Sequence, residues 1–420
     1  MIAAGTAAVA MFGGGRGAAS IARRLLRTPG VDLTLLINGY DDGMSTGALR
    51  RYLPGMLGPS DFRKNLRLHL DPGDPRQAAL AAVLDHRLPA GTGRAGLRGL
   101  IEAIDGGPGD ARPAAFAGLD ARAREAIGRE LRVFARRLAA APGGLDLADC
   151  ALGNLLIAGA YLRLGEDFNA AIGSCARTFG SPVHLLNVTG GEDAHLVAVK
   201  RDGRILADEA SIVAPQDAVP ISDLYLLGER LGPATLAALS GRPAGRVRAA
   251  LDGLRAEITP NPRALRALLD ADLIVYGPGT PHSSLLPSYL TPGIAEAIAA
   301  SRAAAKVFVV NVRDDHDAQG LSAPALVGRT LHHLGDPGNE RRTVTHVLCH
   351  RPAVPAASGT RMPEVPRIVL DHGEWSGARW LIADLEDPGT PGVHCGRRTV
   401  EALAGVGAGI PAGAAPAVAE

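Results

Sequence analysis

Ala7-Ala8-Val9-Ala10-Met11-Phe12-Gly13-Gly14-Gly15-Arg16-Gly17-Ala18-Ala19-Ser20 decides how the rest of the chain is read. An apolar run, a cluster of glycines and a small-residue lead into Ile21-Ala22-Arg23-Arg24-Leu25 spell a strand over Ala7–Phe12, a tight turn, and a helix over Ala18–Arg27. Lacking Cβ atoms, glycines let backbone N–H groups approach an anion, and the helix dipole favours negative charge at that end. Gly13-x-Gly15-x-x-Ala18 satisfies the dinucleotide fingerprint. No Gly-Lys-Ser/Thr follows, so this is not a Walker phosphate loop. A strand–helix turn without a ligand is the plainer alternative.

Working outward, further strands are expected at Leu33–Asn38, Val183–Leu186, Leu196–Lys200, Leu273–Tyr276, Val307–Val312 and Val344–Leu348. Several are continuously apolar, as parallel strands covered on both faces are. Helical spacing falls between them at Leu147–Leu164, Asn169–Phe179, Pro262–Leu269 and Gly293–Ala304. This alternation predicts an α/β fold: a Rossmann-like, doubly wound, mostly parallel sheet. Asp71–Gly144, with a helix over Ala121–Ala140, and Pro215–Gly253 break the rhythm and read as helical insertions within one domain spanning 1–405. Residues 406–420 offer nothing large to bury and are expected to form a disordered tail.

The chain has 420 residues, 44 basic against 43 acidic, a balance that argues against a nucleic-acid partner. No apolar run approaches the roughly 18–20 residues that span a bilayer, so no membrane partner is expected. Its four cysteines, Cys150, Cys175, Cys349 and Cys395, are scattered without a Cys-x-x-Cys pair, and a reduced cytoplasmic setting is the simplest reading. A homodimer is the default assembly.

Two further loops fall at the same expected sheet edge. Gly39-Tyr40-Asp41-Asp42-Gly43-Met44-Ser45-Thr46-Gly47 follows the second strand, and adjacent carboxylates are easier to maintain with a divalent cation or a donor-rich partner. A solvated acidic turn is the alternative. Asn38, rather than an acidic residue, ends that strand, which suits ribose selection poorly. Gly277-Pro278-Gly279-Thr280-Pro281-His282-Ser283-Ser284 follows the strand Leu273–Tyr276 and makes a second anion-accepting loop.

That segment, with Thr291-Pro292-Gly293, resembles the signature of the family uniting 2-phospho-L-lactate transferase (CofD) with the YvcK-like gluconeogenesis factors. Other segments fall in the family's order: Gly13–Gly17, Asp41-Asp42-Gly43 with Ser45 and Gly47, Pro59-Ser60-Asp61-Phe62-Arg63-Lys64-Asn65, Leu152-Gly153-Asn154, Asn311-Val312 and Ala383 to Arg397. The resemblance implies binding of a nucleoside-diphosphate-linked small molecule. In CofD-like members a guanosine-diphosphate-linked phospho-acid passes its phospho-acid to a deazaflavin alcohol with Mg²⁺; YvcK-like members are associated with nucleotide-sugar binding and regulation without turnover. Carried onto this chain, Gly13, Gly14, Gly15, Arg16, Gly17, Ser45, Asn154, Gly277, Pro278, Gly279, Thr280 and Asn311 are expected at the nucleotide and phosphates. Asp42 would hold Mg²⁺ or orient the acceptor hydroxyl, assisted by Asp41, with Arg63 or Arg16 neutralising developing charge. Departures from the family pattern include Arg16 with Ala18-Ala19 in the first loop, and Arg313-Asp314-Asp315-His316-Asp317 after Asn311-Val312. A nicotinamide dehydrogenase using Gly13-x-Gly15-x-x-Ala18 is the third reading. His346 and His350 are expected just after a strand and roughly 13 Å apart, too far to share a metal ion.

Overall fold

The computed structural model describes residues 6–106, 113–141, 143, 145–313, 321–351, 374–375, 377–407 and 409–410. Strands run in the order β1 (Ala7–Phe12), β2 (Val31–Ile37), β3 (His184–Asn187), β4 (His195–Lys200), β5 (Ile205–Leu206), β6 (Ile221–Leu227) and β7 (Leu273–Tyr276). They continue with β8 (Ala305–Val309), β9 (His346–His350), β10 (Glu374–Trp375), β11 (Ala378–Ala383), β12 (Glu386–Asp387) and β13 (Thr390–His394). The main sheet is ordered β10-β11-β9-β8-β7-β1-β2-β3. Its pairings from β3 through β11 are all parallel, giving seven parallel strands with β10 antiparallel at one edge.

The chain starts in the middle of this sheet. It proceeds outward through β2 and β3, then returns to lay β7 against the other side of β1. Val9–Phe12 pair in register with Leu273–Tyr276, and Ala7–Phe12 with Val31–Leu36. The strand order therefore reverses between β1 and β7, where open α/β sheets bind ligands at the strands' carboxyl ends. The sheet is buried on both faces: Met11, Phe12, Leu36, Leu273, Val275, Tyr276 and Val307 all belong to one continuous core. That accounts for the unbroken apolar runs in the sequence.

Between β2 and β3 lies a helical lobe. Its longest helix, Ala121–Ala140, begins where Asp120 accepts a hydrogen bond from the Ala123 N–H (2.7 Å). It buries Ile127, Leu131, Phe134 and Leu138, one stripe at helical spacing, facing the helix Leu152–Arg163. The second expected insertion is not purely helical. Ile221–Leu227 is a strand, and it pairs antiparallel with β4, which also pairs with β5, in a separate three-stranded sheet. This sheet has a small core of its own, in which Val197, Val199, Tyr225 and Leu227 meet Val247 and Leu251 of the helix Ala244–Asp252. The strand expected at Leu196–Lys200 thus belongs outside the parallel sheet.

Several boundaries move as well. The helix expected from Leu147 starts at Leu152, because residues before it turn through Asp149 at φ +57°. The helix expected to Ala304 ends at Ala300, since β8 begins at Ala305; β8 itself stops at Val309 and leaves Asn311 in the loop beyond. His346 and His350 lie at the two ends of β9 rather than after it. Residues 411–420 of the expected tail and the Asp314–Asp317 cluster lie outside the described residues.

Candidate active site at the sheet's switch point

Phe12 and Tyr276 sit side by side on β1 and β7, so the two glycine loops leave the sheet at the same level. The Gly277 N–H donates to the Phe12 carbonyl (2.9 Å), and the two rings stack with centroids 5.7 Å apart. Tyr289 meets both rings edge-on, and the Tyr276 hydroxyl donates to the Thr343 carbonyl (2.6 Å). Behind the loops, then, is a buried aromatic wall in which the Tyr276 tip is satisfied and the Tyr289 hydroxyl has no hydrogen-bond partner among the described residues. The approach of the loops requires glycine. A Cβ on Gly277 would stand 2.5 Å from the Phe12 carbonyl oxygen, and one on Gly17 would stand 3.0 Å from that of Pro278.

The loops border a cleft of about 320 Å³ lined by Gly15, Gly17, Pro278, Gly279, Thr280 and residues 311–313 and 392–394. Asn311 does not point its amide into open space. Its Oδ1 accepts from the Gly279 N–H and its Nδ2 donates to the Gly279 carbonyl, both at 3.0 Å, so it clamps the second loop. Arg313 is the cation among the described residues that line this cleft. Its Nε and Nη2 donate to Glu386 Oε1 (2.8 and 2.6 Å), and the same oxygen takes the Gly392 N–H (2.7 Å). The far wall is the end of β13, tied to the first helix by the Ser20 hydroxyl donating to the His394 carbonyl (2.6 Å), with the helix Gly396–Ala404 following it. His394 Nε2 donates to the Val310 carbonyl (3.1 Å), and burial pushes this imidazole down to about 4.

On the other flank of the first loop stand carboxylates. Asn65 Nδ2 donates to the Gly14 carbonyl (2.9 Å), and Asp61, one helical turn earlier, lies so close that a Cβ on Gly14 would meet its Oδ2. Burial raises the Asp61 carboxyl although Lys64 Nζ donates to it at 2.7 Å. Asp41 accepts from the Gly43 N–H (3.0 Å), and Glu209, delivered by the three-stranded insertion, accepts from the Asp42 N–H (2.6 Å). Burial, then the charge and hydrogen bond of Asp41, push Glu209 up to about 9. Asp42 is differently engaged. Arg230 holds both of its oxygens, one at 2.7 Å, and Arg50 lies 4.0 Å away. Burial would raise this carboxyl, but the Arg230 hydrogen bond and the two guanidinium charges hold it below its ordinary value.

Arg63 and Asn154 lie together but away from the cleft lining. Arg63 Nε donates to Asn154 Oδ1 (3.0 Å) and its Nη1 to Asp85 (2.8 Å) and the Leu84 carbonyl (3.2 Å). Asn154 Nδ2 donates to the Ser60 hydroxyl, which also bonds Thr46. These residues join the helical lobe to the acidic loop. Ser45 is half-buried in the helix Met44–Tyr52 that follows that loop. The Arg16 side chain lies outside the described residues. Nothing local in the sequence marks Arg50, Glu209 or Arg230 as site residues; Arg313 carries a signal, its place just after Asn311-Val312.

Among the described residues, no group of three or more His, Cys, Asp or Glu side chains is arranged to hold a metal ion. Mg²⁺ commonly takes only one or two carboxylates and completes its shell with water and substrate phosphates. Asp41 and Glu209 are two carboxylates that could serve in that way; burial first, and then the charge of Asp41, raises Glu209 above the usual carboxylate range. Asp42, with both oxygens on Arg230, is not one of them.

A strand-order reversal and two glycine loops beside a fixed arginine define the fold class: doubly wound α/β proteins, in which ligand sites lie at the strands' carboxyl ends. The family model of 2-phospho-L-lactate transferase CofD matches residues 9–366, and the chain belongs to that family. It is 27% identical over 331 residues to the gluconeogenesis factor of Bacillus subtilis, covering 77% of this chain and 70% of that protein. It is 26% identical over 334 residues to the gluconeogenesis factor of Halalkalibacterium halodurans, covering 78% and 74%. A crystal structure of a Bacillus halodurans protein aligns over 95% of this chain and 99% of its own, with a TM-score of 0.63 at 23% identity, and supports the fold. No helix among the described residues is long and apolar enough to cross a membrane.

Proposed function

We propose that the switch-point cleft binds a nucleoside-diphosphate-linked phospho-acid and that the protein transfers the phospho-acid to an acceptor hydroxyl. The observation that carries this reading is the meeting of Gly17 with Pro278 and Gly279 beside Arg313. Backbone N–H groups of Gly15, Gly17 and Thr280 cradle the diphosphate, while Asn311, through the Gly279 N–H and carbonyl, and Glu386 hold the second loop and Arg313 in place. In the transfer, the acceptor oxygen forms a bond to the phosphorus carrying the acid. The bond to the nucleoside monophosphate breaks, and the hydroxyl proton passes to the Asp41 carboxylate. Arg313, in the position first expected of Arg63, neutralises the charge that gathers on the departing phosphate. Bound Mg²⁺ would supply further neutralisation beside Asp41 and Glu209. Arg63 and Asn154 serve as supports of the acidic loop.

A second reading, a regulatory protein that binds a nucleotide sugar without turnover, is favoured by one observation: Arg230 occupies the Asp42 carboxylate. A thermal-shift series with GDP, UDP-sugars and NAD, each with and without Mg²⁺, separates the readings. A ligand at 100 times its Kd stabilises the fold by about 2.7 kcal/mol. Mg²⁺-dependent GDP binding supports the transferase, a preference for UDP-sugars supports the regulator, and a preference for NAD overturns both.

A further inference from the structure

The helical lobe carries a second basin, unconnected with the glycine loops. Four helices, Pro75–Asp85, Ala121–Ala140, Leu152–Arg163 and Phe168–Thr178, surround a groove of about 610 Å³. Its lining includes Arg76, Arg122, Arg129, Arg163 and Arg177, with Glu125 as the one carboxylate. Arg76 pairs with Asp120, and Arg129 and Arg163 share a single carboxylate, Glu130, whose side chain is only 2% exposed (2.8 and 2.7 Å). Arg122 and Arg177 make no ion pair with any described residue. Five guanidiniums therefore face three carboxylates in a chain whose formal charge is only +1.

The fold does not account for this excess. The helix Ala121–Ala140 is held by its apolar stripe, and Arg122 lies on its exposed side in the first turn, where the helix dipole disfavours a cation. Arg163 already has two partners, since its Nη2 donates to Ser174 Oγ at 3.0 Å, so it is fixed in place without the other arginines. Guanidinium forks match phosphate oxygens in pairs, and the groove falls within the size range of small-molecule sites. We infer that this groove binds a phosphorylated small molecule of nucleotide size bearing two or more phosphate groups. Arg122 and Arg177 grip the phosphates from opposite helices, with Arg163 and Arg129 behind them.

The test is calorimetric titration of the full chain with sodium tripolyphosphate, comparing wild type with the double variant Arg122→Glu/Arg177→Glu. Both side chains are exposed, and an unchanged circular-dichroism melt establishes that the double variant is folded. The groove's binding event is expected to weaken about tenfold or more in the glutamate variant, and less in Arg122→Lys/Arg177→Lys, which keeps charge but loses the fork. A third chain, Gly17→Val, closes the switch-point cleft and is expected to keep the groove's event. Unchanged stoichiometry and affinity in the folded glutamate variant would overturn the inference. So would binding that is lost in Gly17→Val but kept in the glutamate variant, because the phosphate would then sit at the glycine loops. Equal displacement by polyglutamate, or capture of phosphatidylserine vesicles with no uptake of tripolyphosphate, would also overturn it, by making the groove a face for macromolecules.

Discussion

The switch-point cleft and the arginine groove both suit anions, and they are built from opposite materials. The cleft is mostly backbone: loop N–H groups fixed by strand register, by the Asn311 clamp and by an aromatic wall, with one cation among the described lining residues, whose direction Glu386 dictates. The groove is mostly side chain: long guanidiniums on exposed helix faces, two of them without a carboxylate among the described residues. A rigid cradle can orient a reacting phosphorus, because its donors are in place before the ligand arrives. A set of long side-chain cations, two of them without an ion pair among the described residues, attracts charge strongly but orients it less than a backbone cradle does. The contrast suits the first basin to the transfer proposed for it and the second to simple occupancy.

The contrast can be broken at four points. The largest effect is expected from Arg50→Ala. Arg50 is 1% exposed and donates to the Tyr40, Asp41 and Ala194 carbonyls and to Asp193, so its loss strands several acceptors behind the acidic loop. A loss of about 3–5 kcal/mol is expected in urea denaturation; a loss like that of a groove arginine would show that the cleft's support is no firmer than the groove's walls.

Next is the pH response of the cleft wall. His394 is neutral in the fold down to about pH 4, whereas an unfolded imidazole takes up its proton near 6.5. Between those values the unfolded chain binds more protons, so stability falls as the pH drops from about 6.5 to about 4. The contribution is on the order of 3 kcal/mol when complete. His394→Gln should flatten this part of the profile, as read from urea midpoints at each pH; a profile with the wild-type slope would contradict it.

Gly17→Val and Arg313→Ala come third. Each is expected to weaken the stabilising nucleotide found by thermal shift about tenfold or more, with Arg313→Lys intermediate. If both variants bind as wild type does, the cradle lies elsewhere. The smallest effect belongs to the groove: Arg76→Ala breaks an exposed pair with Asp120 and should cost at most about 1 kcal/mol. A larger cost in chemical denaturation would mean that the groove's arginines are part of the folding machinery after all.

Most of the parallel sheet is legible because strands such as β1 and β7 are buried on both faces and therefore written as apolar runs closed by glycine; β11, only partly buried, carries no such run and is not foreseen. Ala7–Phe12 and Leu273–Tyr276 were both placed to the residue. β6 was not, because Ile221-Ser222-Asp223-Leu224 mixes polar and apolar residues between Pro220 and an Ala/Arg-rich stretch, as a strand of a small outlying sheet does. The loops of the cleft could be read locally, since glycine clusters announce close approach. Glu209 and Arg230 could not: they reach the acidic loop only through the fold of a distant insertion. For Arg63 and Asn154 the motif was visible, but its direction was not, because a buried arginine satisfied by Asp85 and a helix-end carbonyl looks the same in sequence as one aimed at phosphate.

The placement of β1 at the centre of the sheet has a consequence for synthesis. One flank of β1 is covered by β2 almost at once, but its other flank belongs to β7, which begins only at Leu273. A nascent chain emerging from the ribosome thus carries an apolar strand with an open hydrogen-bonding edge until Leu273–Tyr276 has been made. Chaperone engagement should concentrate on that early segment and end when β7 docks, the same event that brings the two halves of the cradle together.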